Sequence, residues 1–351
     1  MTFQKGIWQE ADPVLKGFNE QEIIDGVNAG LAVRQLIEKT VDEIWKEGFD
    51  AVWFMGIGGT WASGMQAEIY MRGHSSLPVY LGNAAEFLTI GDKKFTPKTL
   101  VVISSVSGTT TEMVDLAARV HELGAKILGF IDNEKSILAQ QSDYLISAKG
   151  NDALKFLMLC NYLMYKNGEF DEYERFNAEM EAHLGRALAA VEKETDDWAR
   201  SYVKKQASFR EQNPDYPIYF VGSGMLYPTA YSMAMCSWEE GFWLRTKSIA
   251  AQEFFHGMME VVVKDTPLII LIGEDASRPL AERVARFVPQ VSENYVILDT
   301  KEFELDGLAE EFRSALSHIV MRSVFMRLNA YWELELRHPR RIRRYYRQLK
   351  Y

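Results

Sequence analysis

Cysteine is scarce in this chain of 351 residues: Cys160 and Cys236 are its two, each alone in an apolar context. With no CxxC pair, neither a thiolate metal site nor a disulfide framework is visible, and a reducing, cytoplasmic compartment is expected. Long apolar runs are missing as well. None reaches the ~18 residues that a membrane span needs, and 154–165 is interrupted by Asn161 and reads as a buried helix. The start, Met1-Thr2-Phe3-Gln4-Lys5, leads into polar residues rather than an apolar stretch, so no secretory signal is expected. Basic residues are outnumbered, 39 Lys and Arg against 49 Asp and Glu. Seven of them, with no acid, fall in 337–351, so the net −10 combines +7 there with −17 over residues 1–336. A body that acidic repels nucleic acid over most of its surface, so any anion it binds is small and held locally.

The apolar segments that are present alternate with helical ones. An amphipathic lead over 20–47 precedes an apolar strand at 51–54, a helical stretch at 62–72 and a strand at 77–81. Strand 99–104, helix 110–123, strand 125–131 and a weak strand at 143–146 follow. This is the pattern of βαβ units and a parallel sheet. Residues 152–207 read as almost wholly helical. The alternation then restarts, with strand 217–221, a helix to about 242, strand 268–272, helix 280–287 and strand 294–298. The fold class expected is α/β, with two doubly wound, flavodoxin-like domains in tandem. Their bounds read as 20–170 and 214–330, joined by connecting helices at 171–213 and followed by a basic tail at 331–351.

Each half opens with a Gly-rich turn after its first strand. Gly56-Ile57-Gly58-Gly59-Thr60 would suit a dinucleotide fold if an acid closed the second strand, but that strand ends in Gly82-Asn83 and Glu86 comes four residues too late. Ser104-Ser105-Val106-Ser107-Gly108-Thr109-Thr110-Thr111 is more specific: six hydroxyls and a glycine in eight residues, between an apolar strand and a helix start. Backbone N–H groups and the positive end of a helix dipole make such a turn an anion site. Helix capping alone would need one hydroxyl.

The stretch 236–260 carries the chemistry. Glu240 lies sixteen residues before His256, and Glu253 lies three before it. A carboxylate and an imidazole are the usual pair for moving protons at a carbonyl substrate near neutral pH. Adjacent helical residues point about 100° apart, so only one of Glu239 and Glu240 can face a site. Trp238, Phe242 and Trp243 suggest an apolar setting for it. The other histidines, His74, His121, His183, His318 and His338, have no such surroundings and read as structural.

Gln252-Glu253-Phe254-Phe255-His256-Gly257-Met258, with Glu240 sixteen residues upstream of the His, resembles the signature of sugar isomerase (SIS) domain enzymes, and within them the fructosamine-6-phosphate deglycase group. Gln252 and Met258 stand where that signature has Gly and Pro. Ser105, Ser107, Gly108 and Thr110 match the family's Ser-x-Ser-Gly-Glu-Thr phosphate loop, with Thr109 in place of Glu. Asn83-Ala84-Ala85-Glu86-Phe87 is similar to a segment beside that loop, where Glu86 would hold a sugar hydroxyl or cap a helix. His338, Pro339, Arg343, Arg344 and Tyr345 match the end of the deglycases, so the basic tail reads as part of the site rather than as a nucleic-acid or membrane arm.

The resemblance implies a phosphosugar deglycase that splits a 6-phosphofructosyl-amine, the Amadori product of an amino acid, into glucose 6-phosphate and the free amine, with no metal or cofactor. Glu240 and His256 would be catalytic. Gly59, Thr60, Ser105, Ser107, Gly108 and Thr110 would bind phosphate, and Glu86, Ser223, Glu253, Arg343 and Arg344 the rest of the substrate. A homodimer or higher oligomer with shared sites is implied. Two other readings use the same residues: an amino-sugar-phosphate isomerase or deaminase, and a sugar-phosphate-binding regulator. Thr2 in place of Cys, with no preceding glutaminase domain, argues against a full glucosamine-6-phosphate synthase. The short stretch 1–20 leaves no room for a helix-turn-helix domain.

Overall fold

The computed structural model describes residues 16–346 and 348–350; the polar start and the expectations placed on it, with Arg347 and Tyr351 of the tail, lie outside them. The chain divides into two compact units.

One unit comprises Gln21–Ala187 and Leu305–Ile319. Its sheet has five parallel strands, β1 (Ala51–Gly56), β2 (Val79–Asn83), β3 (Thr99–Ser105), β4 (Lys126–Ile131) and β5 (Tyr144–Ile146), in the order β2-β1-β3-β4-β5. Alternate residues serve opposite faces. Trp53, Met55, Val101, Ile103 and Ile127 pack with Phe87, Met113 and Leu116 from helices Ala84–Ile90 and Thr111–Glu122. On the other face Phe54 and Phe130 each pack 5.6 Å, centroid to centroid, from Phe156 of helix Asp152–Lys166. A sheet covered on both faces explains why β1 and β3 are buried throughout and read as continuous apolar runs. Strand β2 starts two residues later than the sequence suggests. Pro78 has no N–H to give the ladder and contributes only its carbonyl, to Val52 N at 2.9 Å. The amphipathic lead is likewise two helices, Glu20–Leu31 and Arg34–Glu47.

The other unit comprises residues 16–20, Leu188–Glu304 and 320–350. Its parallel strands β6 (Ile218–Gly222), β7 (Thr246–Ala250), β8 (Leu268–Ile272) and β9 (Tyr295–Asp299) run in the order β7-β6-β8-β9. One face packs Val221, Ile270 and Ile272 with Phe254, Met258, Ala281 and Val284. On the opposite face Phe220 meets Trp238 (4.9 Å) and Phe325 (6.0 Å), and Trp238 donates its Nε1–H to Asn329 Oδ1 at 2.9 Å. Strand β7 is absent from the sequence reading. It is an edge strand of sequence Thr-Lys-Ser-Ile-Ala with no fully buried residue, so it shows no apolar run.

Both sheets thus place their first and third strands side by side, and the chain leaves those strands toward opposite faces. Such a switch point, at the carboxyl ends of the strands, is where parallel α/β sheets bind ligands.

Candidate functional site

At the β1/β3 switch point two turns lie together, after Gly56 and after Ser105. Gly56 is required there because a Cβ would come within 2.6 Å of Trp61 N. Thr60 Oγ1 donates to the Ile57 carbonyl (3.0 Å), which fixes the turn, and Gly59 begins helix Gly59–His74.

The second turn is tighter. Ser105 Oγ accepts from Gly108 N (2.9 Å) and Ser107 Oγ from Thr109 N (3.3 Å). Gly108 has φ 63°, and a Cβ on it would collide with Ser136 Oγ, so glycine is needed twice over. Thr110 stands at the N-cap of the twelve-residue helix Thr111–Glu122 but makes no side-chain cap bond. Its hydroxyl is therefore not used for the bland purpose that its position suggests. Val106 projects at 66% exposure between the two serines. Helix-terminal N–H groups, neutral hydroxyls and the absence of a carboxylate within residues 104–111 suit an anion.

Glu86 is exposed in the first turn of helix Ala84–Ile90, and the cap there is Asn83, whose Oδ1 accepts from Ala85 N and Glu86 N. Behind the loop is a group that the sequence reading missed. Lys155, fully buried, donates to the Ala148 carbonyl (2.9 Å) and lies 3.0 Å from Asp152 and 3.5 Å from Asp132. The N–H of Asp132 in turn bonds the Ser105 carbonyl at 3.0 Å. A lone lysine inside an apolar helix gives no signal in one dimension; one carboxylate partner, Asp152, opens its own helix, and the other, Asp132, follows strand β4.

The β6/β8 switch point is filled by the protein itself. Asp275 accepts from Met225 N (3.2 Å), Ser277 N (2.8 Å) and Ser277 Oγ (2.5 Å), and Ser223, buried, donates to the Ser277 carbonyl at 3.1 Å. A carboxylate sits where an anion would, so the two turns differ in chemistry although they match in topology.

Glu240 follows a π-helical turn, Ser232–Glu239, which re-aims the residues after it. Glu239 and Glu240 diverge as helix geometry requires. Glu239 Oε1 accepts from Thr246 Oγ1 (2.8 Å), and Glu240 Oε1 accepts from Arg343 Nε (2.7 Å). The helix then ends on Trp243, left-handed at φ 57°, whose ring lies 4.2 Å from the Arg344 guanidinium and 4.2 Å from the His338 ring. The tail is thus docked on the Glu240 helix end. This corrects the expected apolar setting: Trp238 points into the core, and the neighbour of Glu240 is a guanidinium. Cys236, one turn earlier, is pushed up to about 12 by burial and by the carboxylates of Glu240 and Glu239, so it stays a neutral thiol.

His256 is exposed at the end of the 3₁₀ turn Ala251–His256, and Glu253 is exposed in the same turn. Within one chain His256 is not brought to Glu240. Glu240 precedes β7 and His256 follows it, so the strand's length separates them, about 13 Å at ~3.3 Å per residue. Their segments also pack on opposite faces of the sheet, Trp238 against Phe220 and Phe254 against Val221.

The SIS domain family matches over residues 48–159, the span from β1 through both turns of the first switch point to helix Asp152–Lys166. Residues 48–159 form a SIS domain. Fructosamine deglycase FrlB of Bacillus subtilis (strain 168) is 26% identical over 296 residues, covering 81% of this chain and 87% of that protein. Fructoselysine 6-phosphate deglycase of Escherichia coli (strain K12) is 24% identical over 276 residues, covering 76% of this chain and 78% of its own. Among solved structures, the C-terminal domain of glucosamine-fructose-6-phosphate aminotransferase from Francisella tularensis superposes with a TM-score of 0.73 at 14% identity, covering 95% of this chain and 99% of that one. That likeness shows the fold. Both units carry a helix-flanked parallel sheet, as the α/β class expected from the sequence requires.

Proposed function

We propose that this protein is a phosphosugar deglycase, acting on a 6-phosphorylated Amadori compound to give glucose 6-phosphate and a free amine. The observation that carries the reading is the hydroxyl-rich turn at the β1/β3 switch point, with its N–H groups and the unspent Thr110 hydroxyl, in a chain similar over three quarters of its length to two proteins named as deglycases. Ser105, Ser107, Gly108 and Thr110, with Gly59 and Thr60, would hold the phosphate. Binding energy at that remote end positions the reacting carbons.

The chemistry asked of the residues is proton transfer. His256 assists opening of the sugar ring. Glu240 takes a proton from C1, giving an enaminol, and returns it at C2, which leaves an imine at C1. Water adds to the imine and the amine departs. Glu86 and Glu253, both exposed, would meet sugar hydroxyls, whereas Ser223 spends its donor inside its own turn. The separation of Glu240 from His256 along β7 supports a site completed by a second copy of the chain, with the imidazole supplied from the partner.

Incubation with a panel of fructosamine 6-phosphates, assayed for glucose 6-phosphate, tests the reading. Release of glucose 6-phosphate with stoichiometric amine is the expected result. Interconversion of an amino-sugar phosphate without amine release would replace it by isomerase chemistry.

A further inference from the structure

The two turns at the β1/β3 switch point carry no positive charge. Neither 56–60 nor 104–111 contains a Lys or Arg, and Lys155 behind them is spent on Asp132, Asp152 and the Ala148 carbonyl. Two lysines stand at the carboxyl ends of this sheet, both exposed: Lys135 after β4 and Lys149 after β5. Strand β5 lies two places from β3, roughly 10 Å at the usual strand spacing. The loop that leaves it is fastened back toward the switch point. Gly150 N donates to Asp132 Oδ2 at 3.1 Å, and Asp132 N donates to the Ser105 carbonyl at 3.0 Å. The end of β5 is thereby tied across the end of β4 to the end of β3. Lys155 holds the same loop from the helix that follows it, through the Ala148 carbonyl, and Asn151 closes it with Nδ2 on the Gly26 carbonyl at 2.8 Å. Gly150 and Asn151 are both left-handed, at φ 67° and 56°, a conformation that a non-glycine residue keeps only where its surroundings fix it. Ala148 and Gly150 are thus each bonded inward through the backbone, and the side chain of Lys149 between them is exposed.

We propose that Lys149 is a further phosphate-binding residue, the cation of a site otherwise built from neutral hydroxyls and N–H groups, and that Lys155 positions it. The fastened loop brings the Lys149 backbone to the end of β4, one strand from the phosphate turn, and a flexible four-carbon stem spans the rest. A phosphate monoester carries about −1.5 to −2 charges near neutral pH, which hydrogen bonds from uncharged donors leave uncompensated. A bond from an ammonium is of the stronger, charge-assisted kind. The two lysines have separate tasks. Lys155 spends its charge on holding the loop, and Lys149 keeps its charge for the ligand. Lys135 belongs to a nearer strand end, but it shares its short loop with Asp132 and Glu134, so its charge is balanced there. This inference rests on the phosphate turn of the deglycase reading.

Inorganic phosphate, titrated calorimetrically into the full chain over a series of NaCl concentrations, tests this. Lys149→Gln should weaken binding about tenfold, the lower end of what one bond to a charged group is worth, and should flatten its salt dependence. Lys149→Arg should keep most of the affinity. Lys135→Gln removes the same charge from the same end of the sheet and should change little. Lys155→Met combined with Asp132→Asn and Asp152→Asn strands no charge, so its thermal midpoint should stay near native. It should still lose the same tenfold, because Lys149 keeps its charge but not its place. Native-like affinity in Lys149→Gln, or equal losses in Lys149→Gln and Lys135→Gln, would overturn the inference, the second by showing a general field in place of a bond. Ser107→Ala with Thr110→Ala would weaken phosphate binding even then, which leaves the turn and the deglycase reading standing. Native-like affinity in the triple variant would strip Lys155 of its positioning role. A native protein that binds no phosphate would remove the turn, and this inference with it.

Discussion

The imidazole of His338 packs 4.2 Å, centroid to centroid, from the indole of Trp243, the left-handed residue that ends the Glu240 helix. Burial lowers the His338 pKa from 6.5; a hydrogen bond to the Gly241 backbone and Glu333 oppose this, and Arg343 and Arg344 add to it. The docked imidazole therefore binds protons less readily than a free one. Below its free pKa the undocked tail takes up more protons, so docking strengthens as pH rises toward 6.5 and weakens as pH falls below it.

Hydrogen exchange over residues 338–346, corrected for intrinsic rate, should accordingly be faster near pH ~5.5 than at neutral pH. His338→Gln should flatten the difference. A native tail equally protected at both pH values would show that His338 does not hold it.

Glu240→Gln should nearly abolish turnover while leaving fold and substrate affinity in place, because the amide keeps the shape but cannot take a proton from C1. Near-native turnover would remove Glu240 from the chemistry.

The phosphate turn separates binding from structure within itself. Ser107→Ala with Thr110→Ala should raise KM for phosphorylated substrate by about two to four powers of ten, at roughly 1.5–3 kcal/mol for each bond to a charged group. Ser105→Ala should in addition lower stability by ~1–3 kcal/mol, since the buried Gly108 N–H loses its acceptor. Because Asp275 fills the corresponding turn of the second sheet, phosphate titration should show one site per chain. Two sites, or one that survives Ser107→Ala with Thr110→Ala, would contradict this.

Lys155→Met should cost about 3–5 kcal/mol, the usual effect of stranding buried carboxylates, here Asp132 and Asp152. Since Asp132 braces Ser105, KM for phosphorylated substrate should rise while kcat on bound substrate changes less. A change in thermal stability of under ~0.5 kcal/mol would show the ion pairs to be incidental.

Much of this was legible in one dimension. Buried parallel strands show as apolar runs, and the two turns show as glycine and hydroxyl clusters at strand ends. What stayed hidden shares one cause, partners distant along the chain. Strand β7 is polar because its ladder with β6 and its position at a sheet edge define it, not its hydropathy. Trp238 reads as a wall for Glu240, yet its ring is claimed by Phe220, Phe325 and Trp332. Arg343 lies 103 residues from Glu240, and Asp275 lies 50 from Met225, so neither pairing has a local pattern.

The placement of Glu240 and His256 makes a further prediction that needs no knowledge of the substrate's amine. If each site takes Glu240 from one copy and His256 from another, Glu240→Gln and His256→Ala are defects that different chains can complement. Each variant alone should be nearly inactive. Mixed and allowed to exchange subunits, half of the dimers become hybrids; in each hybrid one site carries both defects and the other carries neither. Activity should therefore return to about a quarter of native, as the symmetry of a two-fold interface requires. Mixing without exchange should restore nothing. No recovery after demonstrated exchange would mean that both groups serve the site from one chain, so that the 246–256 segment would have to refold to bring them together.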